Sequence, residues 1–396
     1  MRLLIISNYF FPEIGAAPYR VYCMAKGLSN NHKVEVIAPM PNYPHGKIAD
    51  GYKGRFLKTD FVDQMKVFRY FIYPSKSKSA ILRILSMLSF AVCLWFSWFQ
   101  IKKTKGIDAV IIQNSPLLIS FSSIILYKKI LGRKIILNVS DLWPGSALDL
   151  GYVKEGKFYN LLKKIEQFNY RNSNAIVGQS QVILDEIKKD AQTTPQFLYR
   201  NIQPTSPKVR LEKTKKFSIV YAGIIGVAQG ILEIVNHVDF DALNIQFDIY
   251  GDGAEKDDIL ALIAQKNIKN ISYKGMIPKR ELNKILPQYH FALVPLTTPI
   301  KGAVPSKIFD FVSNTIPVVY MGSGEAEQII KTYNLGFTVA SKAFKALNTV
   351  LNQISTMQAS EYQLIQKSCE QTSRNVLNFE NQLKNFNTFL EAITAK

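Results

Sequence analysis

Between Phe291 and Tyr320 the chain spells out one full unit of a parallel α/β sheet, and this stretch constrains the fold more than any other. Phe291-Ala-Leu-Val-Pro-Leu is a short unbroken apolar run, as expected of a strand buried on both faces. Gly302-Ala-Val-Pro-Ser-Lys-Ile-Phe-Asp310-Phe reads as a loop that opens a helix, and Pro317-Val-Val starts a strand again. The order strand, loop, helix, strand is that of an α/β sheet with parallel strands.

The same alternation fills the chain and restarts once. In the first half, strands are expected at Arg2–Ser7, Lys33–Ala38, Ala109–Gln113, Lys134–Asn138 and Ala175–Gly178, with helices around Tyr19–Ser29 and over an apolar segment before Asp108. In the second half, strands are expected at Phe217–Ala222, Gln246–Tyr250, Ile271–Lys274, Phe291–Pro295, Pro317–Tyr320 and Leu335–Val339, with helices from about Gly230, Glu255 and Lys279. At 396 residues the chain exceeds one ordinary core, so two doubly wound, Rossmann-like domains facing a central cleft are expected. Pro204, Pro207 and a charged run place the boundary within Asn201–Lys216, giving domains 1–205 and 206–375. A final helix, 376–396, has apolar residues at helical spacing and is expected to pack back across the junction.

Charge is distributed unevenly. Residues 1–210 hold 30 Lys/Arg against 13 Asp/Glu, and residues 211–396 hold 19 against 17, so nearly all of the +19 lies in the first half. A basic half points to an anionic surface or ligand there. No nucleic-acid module pattern is present, which favours an anionic membrane surface over nucleic acid. Ile84 to Ile101 has no charge, carries Trp95 and Trp98, and is flanked by Lys76, Lys78, Arg83, Lys102, Lys103 and Lys105. Its eighteen residues are just long enough to span a bilayer, but a span would split the first sheet. The remaining readings are a sheet-covering helix or one that dips into a single leaflet, and the tryptophans and lysines favour a membrane-facing variant. Leu3-Leu-Ile-Ile followed by Ser7-Asn-Tyr reads as a first strand rather than a secretory signal. Cys23, Cys93 and Cys369 match no metal or redox spacing, so a reducing cytoplasm is expected and a structural zinc is not.

Ligands of doubly wound sheets lie beyond the carboxyl ends of the strands, where helix N-termini offer amides to anions. Several stretches fall there. Lys307, three residues before Asp310, suits a sugar nucleotide, the lysine on the diphosphate and the carboxylate on ribose hydroxyls; alone, the pair also reads as a capped helix with surface charges. Tyr221-Ala-Gly-Ile-Ile-Gly-Val-Ala-Gln-Gly230 is a strand and glycine loop whose Gly223, Gly226 and Gly230 let backbone approach a phosphate; its spacing is neither the dinucleotide fingerprint nor a Walker loop, and an ordinary tight turn is the alternative. Asn8-Tyr-Phe-Phe-Pro-Glu-Ile-Gly-Ala-Ala-Pro-Tyr-Arg20 is the matching loop of the first half, with Gly15 against a phosphate, Arg20 on an anion, and Glu13 either binding acceptor hydroxyls or capping the helix. Asn138-Val-Ser-Asp141-Leu-Trp-Pro ends a strand, so Asp141 beside Trp143 orients an acceptor hydroxyl or takes its proton, an Asx turn being the alternative. Tyr43 and His45 of Pro41-Asn-Tyr-Pro-His-Gly46 belong to the same mouth, His45 also reading as a solvated loop histidine. Gly251 opens a Gly-Asp-Gly turn after a strand, and the backbone at Met276 and Ile277 is placed to meet a base.

These pieces, in order along essentially the whole chain, resemble the retaining GT-B glycosyltransferases of family 4. More closely they are similar to its bacterial branch that adds N-acetyl-fucosamine or related aminosugars to lipid-linked O-antigen or capsule precursors. The resemblance implies a UDP-sugar held by the second domain as co-substrate, an acceptor held by the first, and neither metal nor cofactor. Together with the residue readings above, donor binding is expected at Gly15, Gly223, Gly226, Gln229, Gly251, Met276, Ile277, Gly302, Ala303, Val304, Ser306, Lys307 and Asp310, acceptor binding at Arg20, Tyr43, His45 and Trp143, and catalysis at Asp141 and Glu13. Asp310 takes the place of the family's usual ribose-binding Glu, Gly302 that of its partner acid, and Ile224 and Gln229 those of an Arg and a Lys on the diphosphate. Asp239-Phe-Asp241 matches by letter the metal-binding pair of another glycosyltransferase class but sits on a helix-to-strand connection, where a charged turn is expected.

The expected activity is transfer of a hexosamine-type sugar, N-acetylated and in some members 6-deoxy, from UDP to a polyprenyl-diphosphate-linked saccharide, with retention, by a peripheral protein on the inner face of a bacterial plasma membrane. A UDP-sugar epimerase of the same fold and a non-enzymatic, membrane-docked scaffold are the alternatives.

Overall fold

The computed structural model describes residues 1–77, 79–102, 106–204, 212–214 and 216–395. Lys78, Lys103, Lys105 and Pro207 lie outside the described residues, as do the side chains of Arg83 and Lys102. The chain forms two compact units, Met1–Asn201 with Gln382–Lys396, and Ile202–Asn381. The division thus falls at Asn201/Ile202 rather than at 205/206, and the chain's end belongs to the first unit from Gln382 onward.

The first unit is built on strands β1 (Arg2–Ile6), β2 (Lys33–Pro39), β3 (Leu57–Val62), β4 (Met65–Tyr70), β5 (Ala109–Gln113), β6 (Lys134–Val139), β7 (Ala175–Gly178) and β8 (Gln196–Leu198). Their order is β3-β4-β2-β1-β5-β6-β7-β8, and every neighbouring pair is parallel except β3–β4. Central strands are buried along their length, which is why they read as unbroken apolar runs. The edge hairpin β3–β4 went unforeseen because it is rich in charge and buries an arginine, Arg69, that no hydrophobic pattern flags. Strand β8 and the helices Leu117–Ile124, Lys157–Arg171 and Gln181–Asp190 add to the expected elements.

The apolar segment covers the sheet and is not one straight helix. It runs as the helix Ala80–Cys93, a tight turn Leu94–Phe96 and a second helix Ser97–Lys102. Phe90, Ala91, Cys93 and Leu94 join the core, and Trp95 Nε1 donates to Ser122 Oγ of the neighbouring helix at 3.0 Å. Its outer face stays bare: Leu85, Leu88, Val92, Trp95, Phe96 and Phe99 are exposed, Phe99 to 68%. Among the described residues, no helix is long and apolar enough to cross a membrane.

The second unit holds β9 (Ser218–Ile224), β10 (Gln246–Asp252), β11 (Ile271–Gly275), β12 (Phe291–Pro295), β13 (Val318–Met321) and β14 (Gly336–Val339), all parallel, in the order β11-β10-β9-β12-β13-β14. Each strand lies within two residues of its expected position. The last helix, Phe379–Ala395, packs Phe386 and Phe389 against Phe197 in tilted pairs with ring centroids 5.3 and 5.2 Å apart. Its carboxyl end is met by Lys134, whose Nζ donates to the Ile393 and Thr394 carbonyls at 3.0 and 2.9 Å, satisfying groups the helix leaves open.

Candidate functional site

In both sheets the strand order reverses beside the first strand, between β1 and β5 and between β9 and β12. Each reversal opens a crevice at the carboxyl edge, and the candidate residues collect there.

In the second unit the loops after β9 and β12 are stitched together by Thr297, a residue the sequence did not single out. Thr297 N donates to the Ala228 carbonyl at 2.8 Å, and its hydroxyl to the Val227 carbonyl at 3.2 Å. Gly230 has φ +62°, and a Cβ there would lie 2.5 Å from the Thr297 methyl, so both shape and torsion require glycine. The strand ends pack closely as well: a Cβ on Gly251 would meet the Gly223 carbonyl at 1.7 Å, and one on Gly253 the Ile225 carbonyl at 2.0 Å.

Lys307 starts the helix Lys307–Ser313 and lays its ammonium over Gly223, where a Cβ would lie 1.2 Å from Nζ. The same ammonium sits 4.9 Å from the centroid of the Tyr221 ring, which offers it a negative face. The Tyr221 hydroxyl donates to the Ile224 carbonyl and so fixes the ring. Burial pushes Lys307 down to about 8, with Asp310 pulling the other way. A half-buried ammonium whose charge is incompletely matched is a ready partner for an anion.

Asp310 lies one turn further on the same helix and is ion-paired with Lys279 at 3.0 Å. Burial pushes its carboxyl up, and the charges of Lys279 and Lys307 pull it down. Gly302 takes φ +78°, and the Ala303 N–H is taken by the Ile300 carbonyl at 3.1 Å, so Ala303 contributes no amide to a ligand in this arrangement. Ser306 begins the helix as its cap and Val304 precedes it in the same half-buried loop. Gln229 folds over Gly226, its Oε1 lying 3.4 Å from where a Cβ would be. Met276, exposed, and Ile277, half-buried, follow β11 at the far edge, two strands from the reversal.

In the first unit Glu13 proves to be a brace. Its Oε1 accepts the N–H groups of Asn42 and Tyr43, each at 2.9 Å, and its Oε2 accepts that of Phe10 at 3.2 Å. Both oxygens thus accept backbone N–H groups, and the carboxylate ties the loop after β1 to the loop after β2. Glu13 is expected in catalysis or as a helix cap; its observed partners are loop amides, none of them in the helix Ala16–Ser29. Burial raises its carboxyl, while the three amides and the charge of Arg69 lower it. Arg69 completes the brace, donating to the Phe11 and Pro39 carbonyls and facing Asp60 at 3.4 Å.

Gly15 packs against Tyr43, whose ring would be 3.0 Å from a Cβ, and Tyr43 meets Tyr9 edge-on at 5.3 Å. Arg20 reaches across to the loop after β6 and donates to Ser140 Oγ at 2.5 Å, next to Asp141. Asp141 remains open to solvent while burial of its surroundings raises its carboxyl against the pull of Arg20. Arg20, Ser140 and Asp141 thus form one electrostatic group, with Trp143 N donating to the Asp141 carbonyl at 3.0 Å in a tight turn. His45 is exposed on the neighbouring loop and is not drawn into this group. Asp239 and Asp241 act in a turn, as expected: Asp239 accepts from Ala242 N, and Asp241 from Lys269 N and Asn270 N.

No protein-family model matches this sequence, and no curated protein does. Solved structures match it over nearly its full length. The sucrose-phosphate synthase of Thermosynechococcus elongatus has a TM-score of 0.76 at 11% identity, covering 100% of this chain and 99% of that one. WaaG, a glycosyltransferase involved in lipopolysaccharide biosynthesis, has a TM-score of 0.66 at 13% identity over 98% of this chain and 99% of that one. The pneumococcal O-GlcNAc transferase GtfA, solved in complex with UDP and GlcNAc, has a TM-score of 0.65 at 12% identity over 100% of this chain and 99% of that one. At such identities the likeness is one of fold, and the fold is GT-B.

Proposed function

We propose that this chain is a retaining, UDP-sugar-dependent glycosyltransferase that transfers a hexosamine-type sugar to a polyprenyl-diphosphate-linked saccharide during surface-polysaccharide synthesis. The observation that carries the reading is the Lys307–Gly223–Asp310 arrangement at the β9/β12 reversal: a half-buried cation over a bare glycine, one helical turn from a carboxylate. That pair matches the two ends of a nucleoside diphosphate, with phosphate oxygens on the ammonium and ribose hydroxyls on the carboxylate. The GT-B neighbours lend support, since GtfA was solved with UDP and GlcNAc and WaaG is named as acting in lipopolysaccharide biosynthesis.

In the reaction the bond from the anomeric carbon to the UDP oxygen breaks, and a bond to the acceptor oxygen forms on the same face. The acceptor proton passes to the departing phosphate, which avoids the need for a protein base on that face. Lys307 stabilises the charge developing on the diphosphate, and its low-dielectric setting strengthens that effect. Asp141, held beside Arg20 on the loop after β6, orients the acceptor hydroxyl. The reaction needs no bound metal under this reading.

Asp141→Asn is expected to lower kcat about a hundredfold while leaving the UDP dissociation constant within about twofold of wild type. Steady-state kinetics with a lipid-linked acceptor, beside calorimetry with UDP, checks this. Equal losses in both would place Asp141 outside the acceptor step, and UDP turnover with no acceptor present would favour epimerase or hydrolase chemistry.

The site of action proposed is the cytoplasmic membrane face, reached through the exposed row Leu85, Leu88, Val92, Trp95, Phe96 and Phe99 within a basic domain. Apolar residues flanked by lysines bind anionic bilayers through both area and charge. Phe99→Asp is expected to reduce co-sedimentation with phosphatidylglycerol vesicles at least about tenfold and to leave UDP affinity unchanged. Undiminished sedimentation of this variant would rule out this face as the docking surface.

A further inference from the structure

Asp310 is held by a residue from another element. Lys279, the first residue of the helix Lys279–Ile285, puts its ammonium 3.0 Å from one Asp310 oxygen and 3.1 Å from the other. The same ammonium donates to Oε1 of Gln203, in the segment that opens the second unit. Neither Lys279 nor Gln203 stood among the residues the sequence pointed to.

Most partly exposed lysine–carboxylate pairs contribute little to stability, because entropy and solvent offset their attraction. The geometry here has a different use. An ammonium astride both oxygens occupies one side of the carboxylate and leaves about half of its four lone-pair sites open. A vicinal diol needs two acceptors with their lone pairs on one side, which is what remains. Aspartate, a methylene shorter than glutamate, has less freedom to find that orientation unaided. Resting on the reading of Asp310 as the ribose carboxylate, we infer that Lys279, anchored by Gln203, is a positioning residue that fixes the Asp310 carboxylate as an oriented anion for the two ribose hydroxyls. It acts through Asp310 and is assigned no contact with the sugar being transferred.

The charges facing Asp310 are Lys279, from the helix beside it, and Lys307, from its own helix. Burial raises the Asp310 carboxyl and Lys279 is the first of the charges holding it down, so without Lys279 the carboxyl keeps its proton to higher pH. A protonated carboxyl loses acceptor capacity, so nucleotide binding should fail at a higher pH in such a variant.

Calorimetry of the full chain with UDP and with 2′-deoxyuridine diphosphate, between about pH 5 and 8, tests this on wild type, Lys279→Met, Lys279→Arg and Asp310→Asn. Wild type is expected to prefer the ribonucleotide by about tenfold, as a charged hydrogen bond would give. Lys279→Met should lower that preference to about twofold or less and move the acid limb of UDP binding upward in pH, and Lys279→Arg should restore both. An unchanged preference and acid limb in Lys279→Met would overturn the inference while leaving the donor site standing. A preference kept by Asp310→Asn, or no UDP binding by wild type, would instead overturn the donor reading and the inference with it.

Discussion

Lys307→Met is expected to reduce kcat/KM for the sugar nucleotide about a thousandfold, in the range that follows loss of a preorganised charge at a departing anion. The same substitution should leave the melting temperature unchanged or raised. Lysine ordinarily titrates near 10.5 and burial brings Lys307 down to about 8, so folding disfavours its charged form. Its folded pKa lies below its unfolded one, so the folded state binds fewer protons. The destabilisation is therefore full below pH 8 and fades between pH 8 and the ordinary lysine value. At neutral pH methionine removes that burden while keeping an unbranched stem. Binding runs the opposite way: the cationic form holds the diphosphate, so kcat/KM of wild type should fall as pH rises through about 8, and the Met variant should lack this alkaline limb. Gly223→Ala reaches the same end from the other side. Its backbone is not in the left-handed region, so the added methyl meets one obstacle above all, Lys307 Nζ at 1.2 Å, and the flexible lysine end is what gives way. UDP affinity that survives in both variants would remove the diphosphate from this position.

How much of this was legible in the sequence depends on what each residue is buried against. The second unit's strands are apolar on both faces and separated by glycine turns, so Phe291–Pro295 and its neighbours announce themselves. The hairpin β3–β4 has an open edge and carries Lys58, Asp60, Lys66 and Arg69, and no run of hydrophobic side chains marks it. Arg69 is 1% exposed although arginine is rarely buried, and only its three-dimensional partners explain that. The apolar segment Ile84–Ile101 was readable as apolar but not as two-faced, because its turn at Leu94–Phe96 shifts the helical register.

The site divides along the same line. Lys307, Asp310, Gly223 and Gly251 stand at strand ends and helix starts, positions that sequence order fixes. Thr297 and Lys279 depend on how loops far apart in the chain meet, and no local pattern carries that information. Gly302, Ile224 and Gln229, where the resemblance expects an acid, an arginine and a lysine, make the cations that are present more important. Arg20 and Asp141 lie 121 positions apart in sequence, and only the parallel pairing order β1-β5-β6 brings their loops into one electrostatic group.

Glu13→Ala separates a brace from a catalyst, and it is expected to destabilise the first unit by about 3 to 5 kcal/mol, as removal of one partner from a buried charged network does. The alanine leaves the N–H groups of Phe10, Asn42 and Tyr43 without their acceptor and leaves Arg69 with Asp60 as its remaining carboxylate partner. Tyr43 then loses its tether, and with it the contact that holds Gly15, so the loops after β1 and β2 part at the carboxyl edge where an acceptor would bind. Two measurements decide between the roles. Chemical denaturation should show the lower stability, and at a temperature where the variant is folded, turnover should fall chiefly through a raised KM for the acceptor, with UDP binding by the second unit unaffected. A variant with wild-type stability, wild-type acceptor KM and a kcat reduced by orders of magnitude would return Glu13 to the chemistry. The three amides weigh against that outcome: a carboxylate acting on a substrate proton would have to share the lone pairs that hold them.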